Sequence, residues 1–172
     1  MQVTKQILEK IGLEHTLSQT KVITLNLSEN QRMADIRIEE TIVASRHAVW
    51  SAWADATLLS AWFTTNAEHE FRVGGRYKNS DGDTGTYLRI EPENLIEFTW
   101  DNADHSPGTR VVVSFEDSGS STLVILRHEG LADEKCAADM TLGWTWAMAS
   151  LKQYLETGKP ITYEVWLEAR NA

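Results

Sequence analysis

His128 is the side chain best placed to do chemistry. It closes the segment Thr122 to His128, in which Val124, Leu126 and His128 alternate onto one face, so its imidazole points inward among apolar neighbours. There it can hydrogen-bond a ligand carbonyl or pass a proton. It can equally be a buried histidine whose polar atoms are simply satisfied. Ile96, Phe98 and Trp100 share a face in the same way, while Met140, Trp144 and Met148 recur at helical spacing. Large aromatic rings with flexible thioethers suit an adaptable apolar pocket, and the same stripe serves a plain core. The candidate ligand-binding set is therefore Phe98, Trp100, Leu126, His128, Met140, Trp144 and Met148. Arg76 and Arg127 are a weaker pair for a ligand carboxylate, because their parity turns them toward water.

Other chemistries lose their usual markers. An acid–base enzyme would pair His128 with Glu68, Glu97 or Asp101, but Glu97 has the parity opposite to Phe98 and no convincing pair emerges. No residue is assigned a catalytic role. The sequence lacks a Gly-x-Ser-x-Gly elbow, a phosphate-binding glycine loop and a dinucleotide fingerprint, and no cofactor is expected. His15, His47, His69 and His105 show no metal-ligand grouping with Cys136, so no metal is expected. Asp81-Gly82-Asp83-Thr84 has its glycine too early for a calcium loop and reads as a hairpin turn.

The elements that must position these residues follow from changes of period. Ile7, Leu8 and Ile11 share a helical face, and Lys21 to Leu27 reads as extended, so residues 1–35 form a helical and extended arm ending in a polar linker, Ser28 to Arg32. Residues 36–160 form the main domain and 161–172 a tail. Ile36 to Ile42 opens the domain as a strand, and Ser45 caps a helix whose Val49, Ala52 and Trp53 face something apolar. From residue 68 the pattern alternates, Gly74-Gly75 marks a bend or close backbone approach, and turns at Asp81-Gly82-Asp83, Pro92-Glu93-Asn94 and Asp117 to Ser120 separate the strands of an antiparallel meander. About six strands are expected. Met140, Trp144, Met148 or Ala147, Leu151 and Leu155 then stripe a long helix, which Gly158 and Pro160 stop. A long helix after a meander packs across the concave face of the sheet, an α+β arrangement. In the tail, Ile161 to Trp166 alternates as a strand or an interface segment, with Trp166 expected to pack back on its own domain.

Bulk properties narrow the partners. With 172 residues the chain fits one globular domain. Its formal net charge of −9 and scattered cations argue against nucleic acid and anionic membranes. No apolar run reaches membrane-spanning length, no signal peptide is evident, and one cysteine fits a reducing compartment, so a cytoplasmic protein is expected.

Seven segments in order resemble a known family. They are Val49-Trp50-Ser51-Ala52-Trp53, Trp62-Phe63, Arg72 to Tyr77, Asp83 to Tyr87, Leu95 to Trp100, Leu126 to Leu131, and Gly143-Trp144 with Leu151 to Gly158. Together, over about residues 36–160, they resemble the activator-of-heat-shock-protein-90-ATPase homologues of the START-like (SRPBCC, helix-grip) superfamily. The resemblance implies a curved antiparallel sheet wrapped around a long C-terminal helix, two short helices after the first strand, and a cavity between helix and sheet. That superfamily includes lipid and hormone carriers, polyketide cyclases and chaperone regulators, so fold alone does not settle function. The leading expectation is binding of a hydrophobic or amphipathic small molecule, as carrier or sensor, in a pocket lined by Trp100, His128, Met140 and Trp144. The alternatives are a chaperone or stress-response interaction module and a cyclase- or hydratase-like enzyme. A homodimer through the arm or tail also stays open.

Overall fold

The computed structural model describes residues 33–102 and 108–171. Apart from residues 33–35, the expected N-terminal arm lies outside the described residues. The main domain has the order β1 (Ala34–Ile42), α1 (Arg46–Ala54), α2 (Ala56–Trp62), β2 (Ala67–His69), β3 (Arg76–Asn79), β4 (Thr84–Glu91), β5 (Leu95–Trp100), β6 (Thr109–Ser118), β7 (Ser121–Leu131), α3 (Glu134–Thr157) and α4 (Tyr163–Asn171). The α+β helix-grip architecture expected from the sequence is present, with two short helices after the first strand and one long helix after the last.

Seven antiparallel strands run in the order β1-β7-β6-β5-β4-β3-β2. The count exceeds the expected six because the chain bends out of the sheet between β2 and β3. Gly75 makes that bend possible: a Cβ there would lie 2.0 Å from the Glu70 carbonyl oxygen. The same loop is stitched to β4, with Gly74 N–H on the Tyr87 carbonyl at 2.8 Å and Tyr87 N–H on the Gly75 carbonyl at 2.9 Å. The three turns read from the sequence fall between β3 and β4, β4 and β5, and β6 and β7.

Period-two alternation sorts each strand. Ile96, Phe98 and Trp100 of β5 are buried, as are Val111, Val113 and Phe115 of β6 and Val124, Leu126 and His128 of β7. Register aligns these faces, since Phe98 pairs with Val111, Val111 with His128, and His128 with Ile36. The inward Glu40 of β1 is paired by Lys152 of α3 at 2.7 Å, which joins helix to sheet through the one charge on that face of the strand.

Local signals set the helices. Ser45 accepts the Ala48 N–H and starts α1; Asp55 accepts the Thr57 and Leu58 N–H groups and starts α2. Asp133 caps α3 through the Cys136 N–H, and Gly158, at φ 78°, closes it in the left-handed region. The apolar stripe of α3 buries Trp144, Ala147, Met148 and Leu151. Ser150 is also buried, and its hydroxyl donates to the Trp62 carbonyl of α2 at 2.6 Å, tying the short helices to the long one.

The tail corrects the sequence reading. Tyr163–Asn171 is a helix rather than a strand. Six alternating residues are too few to separate the two periods, whereas Tyr163, Trp166 and Arg170 lie three and four apart on one helical face. The Arg170 guanidinium sits 4.9 Å over the Trp166 ring, and Tyr163 bridges Trp166 to Trp146 of α3, with ring centroids 6.0 and 5.7 Å apart. Trp166 is buried within its own domain.

Candidate functional site

The inward row of β7 places His128 against α3 at full burial. Trp144 donates its indole N–H to His128 Nδ1 at 3.0 Å, and Thr109 Oγ1 stands 2.6 Å from His128 Nε2. An indole N–H can only donate, so Nδ1 must be the bare nitrogen and Nε2 carries the proton, which it gives to Thr109. The Thr109 hydroxyl in turn donates to the Trp100 carbonyl at 3.0 Å. The chain of donors runs one way and leaves no ring nitrogen idle. Burial lowers the imidazole pKa to about 4, because a charge there would be stripped of water. Protonation at Nδ1 would also set two N–H donors head to head.

The carboxylates considered with His128 are engaged elsewhere. Glu68 pairs with Lys78 at 3.1 Å, Glu97 with Arg110 at 3.1 Å, and Asp101 accepts the Gly108 N–H at 3.2 Å. Arg76 and Arg127 are exposed. Among the described residues, no group of three or more His, Cys, Asp or Glu is placed to hold a metal ion.

Beside this satisfied corner, between the short helices on one side and β3, β4 and β5 on the other, the interior is open. A cavity of about 40 Å³ is walled by Trp53 of α1, Trp62 and Phe63 at the end of α2, and Trp144 of α3. From the sheet side Tyr77, Tyr87, Phe98 and Trp100 close it. Trp53 and Trp62 pack tilted at 5.0 Å and Trp100 and Trp144 edge to face at 4.9 Å, while Trp53 and Trp144 stack at 6.5 Å. Gly85 is needed for this packing, since a Cβ there would come within 2.4 Å of the Tyr77 ring and 2.0 Å of the Thr99 carbonyl. Phe63, Trp100 and Trp144 form the partition between the cavity and a second recess of about 200 Å³, which Met140, Gly143 and Trp146 of α3 line opposite Asp81, Asp83 and Asn102.

Of the candidates named from the sequence, Phe98, Trp100 and Trp144 wall the inner cavity and Met140 the outer recess. Leu126, His128 and Met148 sit at full or nearly full burial in the packed core beside it. The sequence reading did not name Trp53, Trp62, Phe63, Tyr77 or Tyr87 as ligand contacts. Their aromatic character was visible, but which rings border the void depends on where the two short helices rest.

Polar atoms on the wall differ in how they are satisfied. The Tyr77 hydroxyl donates to the Thr99 carbonyl at 3.0 Å, and the Tyr87 hydroxyl meets His69 Nδ1 at 2.6 Å. Burial pushes both phenols well above their usual range; for Tyr77, Asp83 and neighbouring acidic groups add to the shift. Burial also lowers the His69 pKa, opposed by its hydrogen bond to the Ala54 backbone. Trp62 gives its indole N–H to the Ala52 carbonyl at 2.8 Å. The indole nitrogens of Trp53 and Trp100 are buried with no acceptor among the described residues.

A curved antiparallel sheet closed on a long helix, with an aromatic chamber between them, defines a helix-grip protein of the START-like class. The family model described as activator of Hsp90 ATPase homolog 1-like protein matches residues 43–156, and the chain belongs to that family. Among solved structures, CalU16 from Micromonospora echinospora superposes with a TM-score of 0.65 at 24% identity, covering 75% of this chain and 84% of that one. The HSP90 activator PFC0360w from Plasmodium falciparum gives 0.63 at 21% identity, covering 75% and 99%. Aha1 from Colwellia psychrerythraea, solved as a dimer in solution, gives 0.66 at 22% identity, covering 74% and 99%. These likenesses establish the shared fold. No curated protein matches the sequence. Among the described residues no helix is long and apolar enough to cross a membrane.

Proposed function

We propose that this protein binds a neutral, hydrophobic small molecule between α3 and the sheet, as a carrier or sensor in the cytoplasm. The observation that carries the reading is the aromatic partition of Phe63, Trp100 and Trp144, which separates a small inner void from a larger outer recess. Ligand pockets commonly hold about 300–1,000 Å³. The inner void alone is far smaller, so a ligand has to occupy the two spaces joined. The wall suits such a ligand, being apolar and aromatic with no charged side chain on its inner part. Asp81 and Asp83 stand only at the outer mouth.

His128 supports binding rather than turnover, since its proton is committed within the Trp144–His128–Thr109 chain. The test is native mass spectrometry of freshly purified protein, with an organic extract of the same sample analysed alongside. A co-purifying neutral apolar molecule near one per chain is the expected result, accompanied by a rise in melting temperature when it is added back. A clean apo mass, with no stabilisation by a broad panel of lipids and aromatics, would overturn the proposal. The remaining readings are a chaperone-interaction module and a homodimer, supported respectively by the HSP90 activator and the Aha1 dimer among the similar structures. The same spectra report the oligomeric state.

A further inference from the structure

Five of the seven tryptophans divide by what their indole N–H groups find. Trp62, Trp144 and Trp146 donate to the Ala52 carbonyl, His128 Nδ1 and the Ile161 carbonyl at 2.8, 3.0 and 2.8 Å. Trp53 and Trp100 are 6% and 7% exposed, wall the same inner cavity, and have no acceptor among the described residues. A buried donor without an acceptor is uncommon in native proteins, and two on one small cavity are a requirement waiting for a partner.

The other polar groups on that wall set the partner's chemistry. The Tyr77 hydroxyl is spent on the Thr99 carbonyl and the Tyr87 hydroxyl on His69. Asn79 gives its side-chain N–H to Asp83 at 2.9 Å, and its oxygen accepts the Asp81 and Asp83 N–H groups, each at 3.0 Å. The side-chain groups of that wall left without a partner among the described residues are therefore donors alone, and no charged side chain there pairs an ion.

Resting on the proposed binding role, we infer that the inner end of the joined space selects a neutral, aromatic or polycyclic ligand bearing hydrogen-bond acceptors, a ketone, ester or ether, and discriminates against the equivalent hydrocarbon and alcohol. Indole N–H groups from Trp53 and Trp100 bind the acceptor oxygens, while the surrounding rings stack on the ligand's apolar body. An alcohol brings a donor for which this wall has no free acceptor. The hydrocarbon leaves both indoles unpaired. Recognition of an acceptor by buried donors is the kind of contact that separates close analogues strongly, because the wrong analogue strands the site's own polar groups.

Indanone, indane and indanol, which differ only at the oxygen, serve as probes against the full chain, with affinity followed by heteronuclear NMR of the indole N–H groups. The expected result is that indanone binds at least about tenfold more tightly than indane, the scale of one satisfied polar contact. Two indole N–H signals, assigned to Trp53 and Trp100 by Trp53→Phe and Trp100→Phe, move downfield with indanone and stay with indane. In each variant the ratio of indanone to indane affinity falls toward one. Equal affinity for the three probes, or binding without movement of those signals, overturns the inference while leaving the cavity as a binding site. Failure of all three to bind, together with a clean apo mass, overturns both. Because the wild-type signals carry the test, a variant that folds poorly does not decide it.

Discussion

Two buried neighbourhoods share Trp100 and Trp144 and treat polarity in opposite ways. On one side, Trp144, His128, Thr109 and the Trp100 carbonyl form a continuous donor chain at full burial. On the other, the Trp100 indole joins that of Trp53 on a cavity wall with no acceptor for either among the described residues. Folding alone favours the first arrangement, because an unmet buried donor costs about 1–3 kcal/mol. The second persists against that cost, which is what a site reserved for a ligand looks like. The contrast teaches that the most reactive-looking residue type in the sequence, the inward histidine, belongs to the structural side. The less conspicuous indoles belong to the side proposed to bind a ligand.

The sharpest way to break this contrast is to remove the residue that serves both neighbourhoods. Trp144→Ala deletes a large buried ring and strips His128 Nδ1 of its donor, so denaturant unfolding should show a loss of about 3–5 kcal/mol. A loss below about 1 kcal/mol would mean that the corner is not the anchor described. Next in size comes the effect of pH. His128 has a folded pKa of about 4 against 6.5 for an unperturbed histidine, so between those values the unfolded chain takes up a proton that the folded chain refuses. Stability is therefore full above pH 6.5 and falls as pH drops toward 4, by about 3 kcal/mol from this group. His69, whose pKa burial also lowers, contributes in the same direction. The difference between wild type and His128→Gln across that window isolates His128; parallel curves would show that the imidazole is not held neutral.

Much of the fold was legible because its signals are local. The two-residue period put Phe98, Trp100, Leu126 and His128 inward, the helical stripe put Trp144 and Met148 against them, and Ser45 and Gly158 marked helix ends. The site was legible only in part, because its defining facts are long-range. His128 meets Thr109 across 19 residues and Trp144 across 16, partners that register and helix docking supply. Whether an aromatic residue borders a void or fills one depends on how α1 and α2 rest over the end of the sheet. Leu126 and Met148 therefore look like pocket residues in sequence and sit in solid core. The tail failed for another reason, since a stretch as short as Ile161 to Trp166 satisfies both periods.

Thr109→Val tests the satisfied corner by its outer link. The methyl replaces the hydroxyl at nearly constant shape, but His128 Nε2–H loses its acceptor and the Trp100 carbonyl loses a donor. Chemical denaturation should show a loss of about 1–3 kcal/mol. A neutral result would mean that the chain is not what holds His128.

The smallest effect is expected on the cavity side. Trp53→Phe removes ring area facing a void together with an indole N–H that has no acceptor, so lost packing and relieved desolvation act in opposite directions. The net change in the unliganded protein should stay within about 1 kcal/mol. At Trp144 the same substitution to Phe deletes a similar volume but strands the His128 nitrogen, and should cost more by about the value of that contact, 1–3 kcal/mol. Chemically identical changes on two rings that stack 6.5 Å apart thus separate a donor in use from a donor held in reserve. Equal costs for the pair would place Trp53 on the structural side, leaving Trp100 as the single indole available to a ligand.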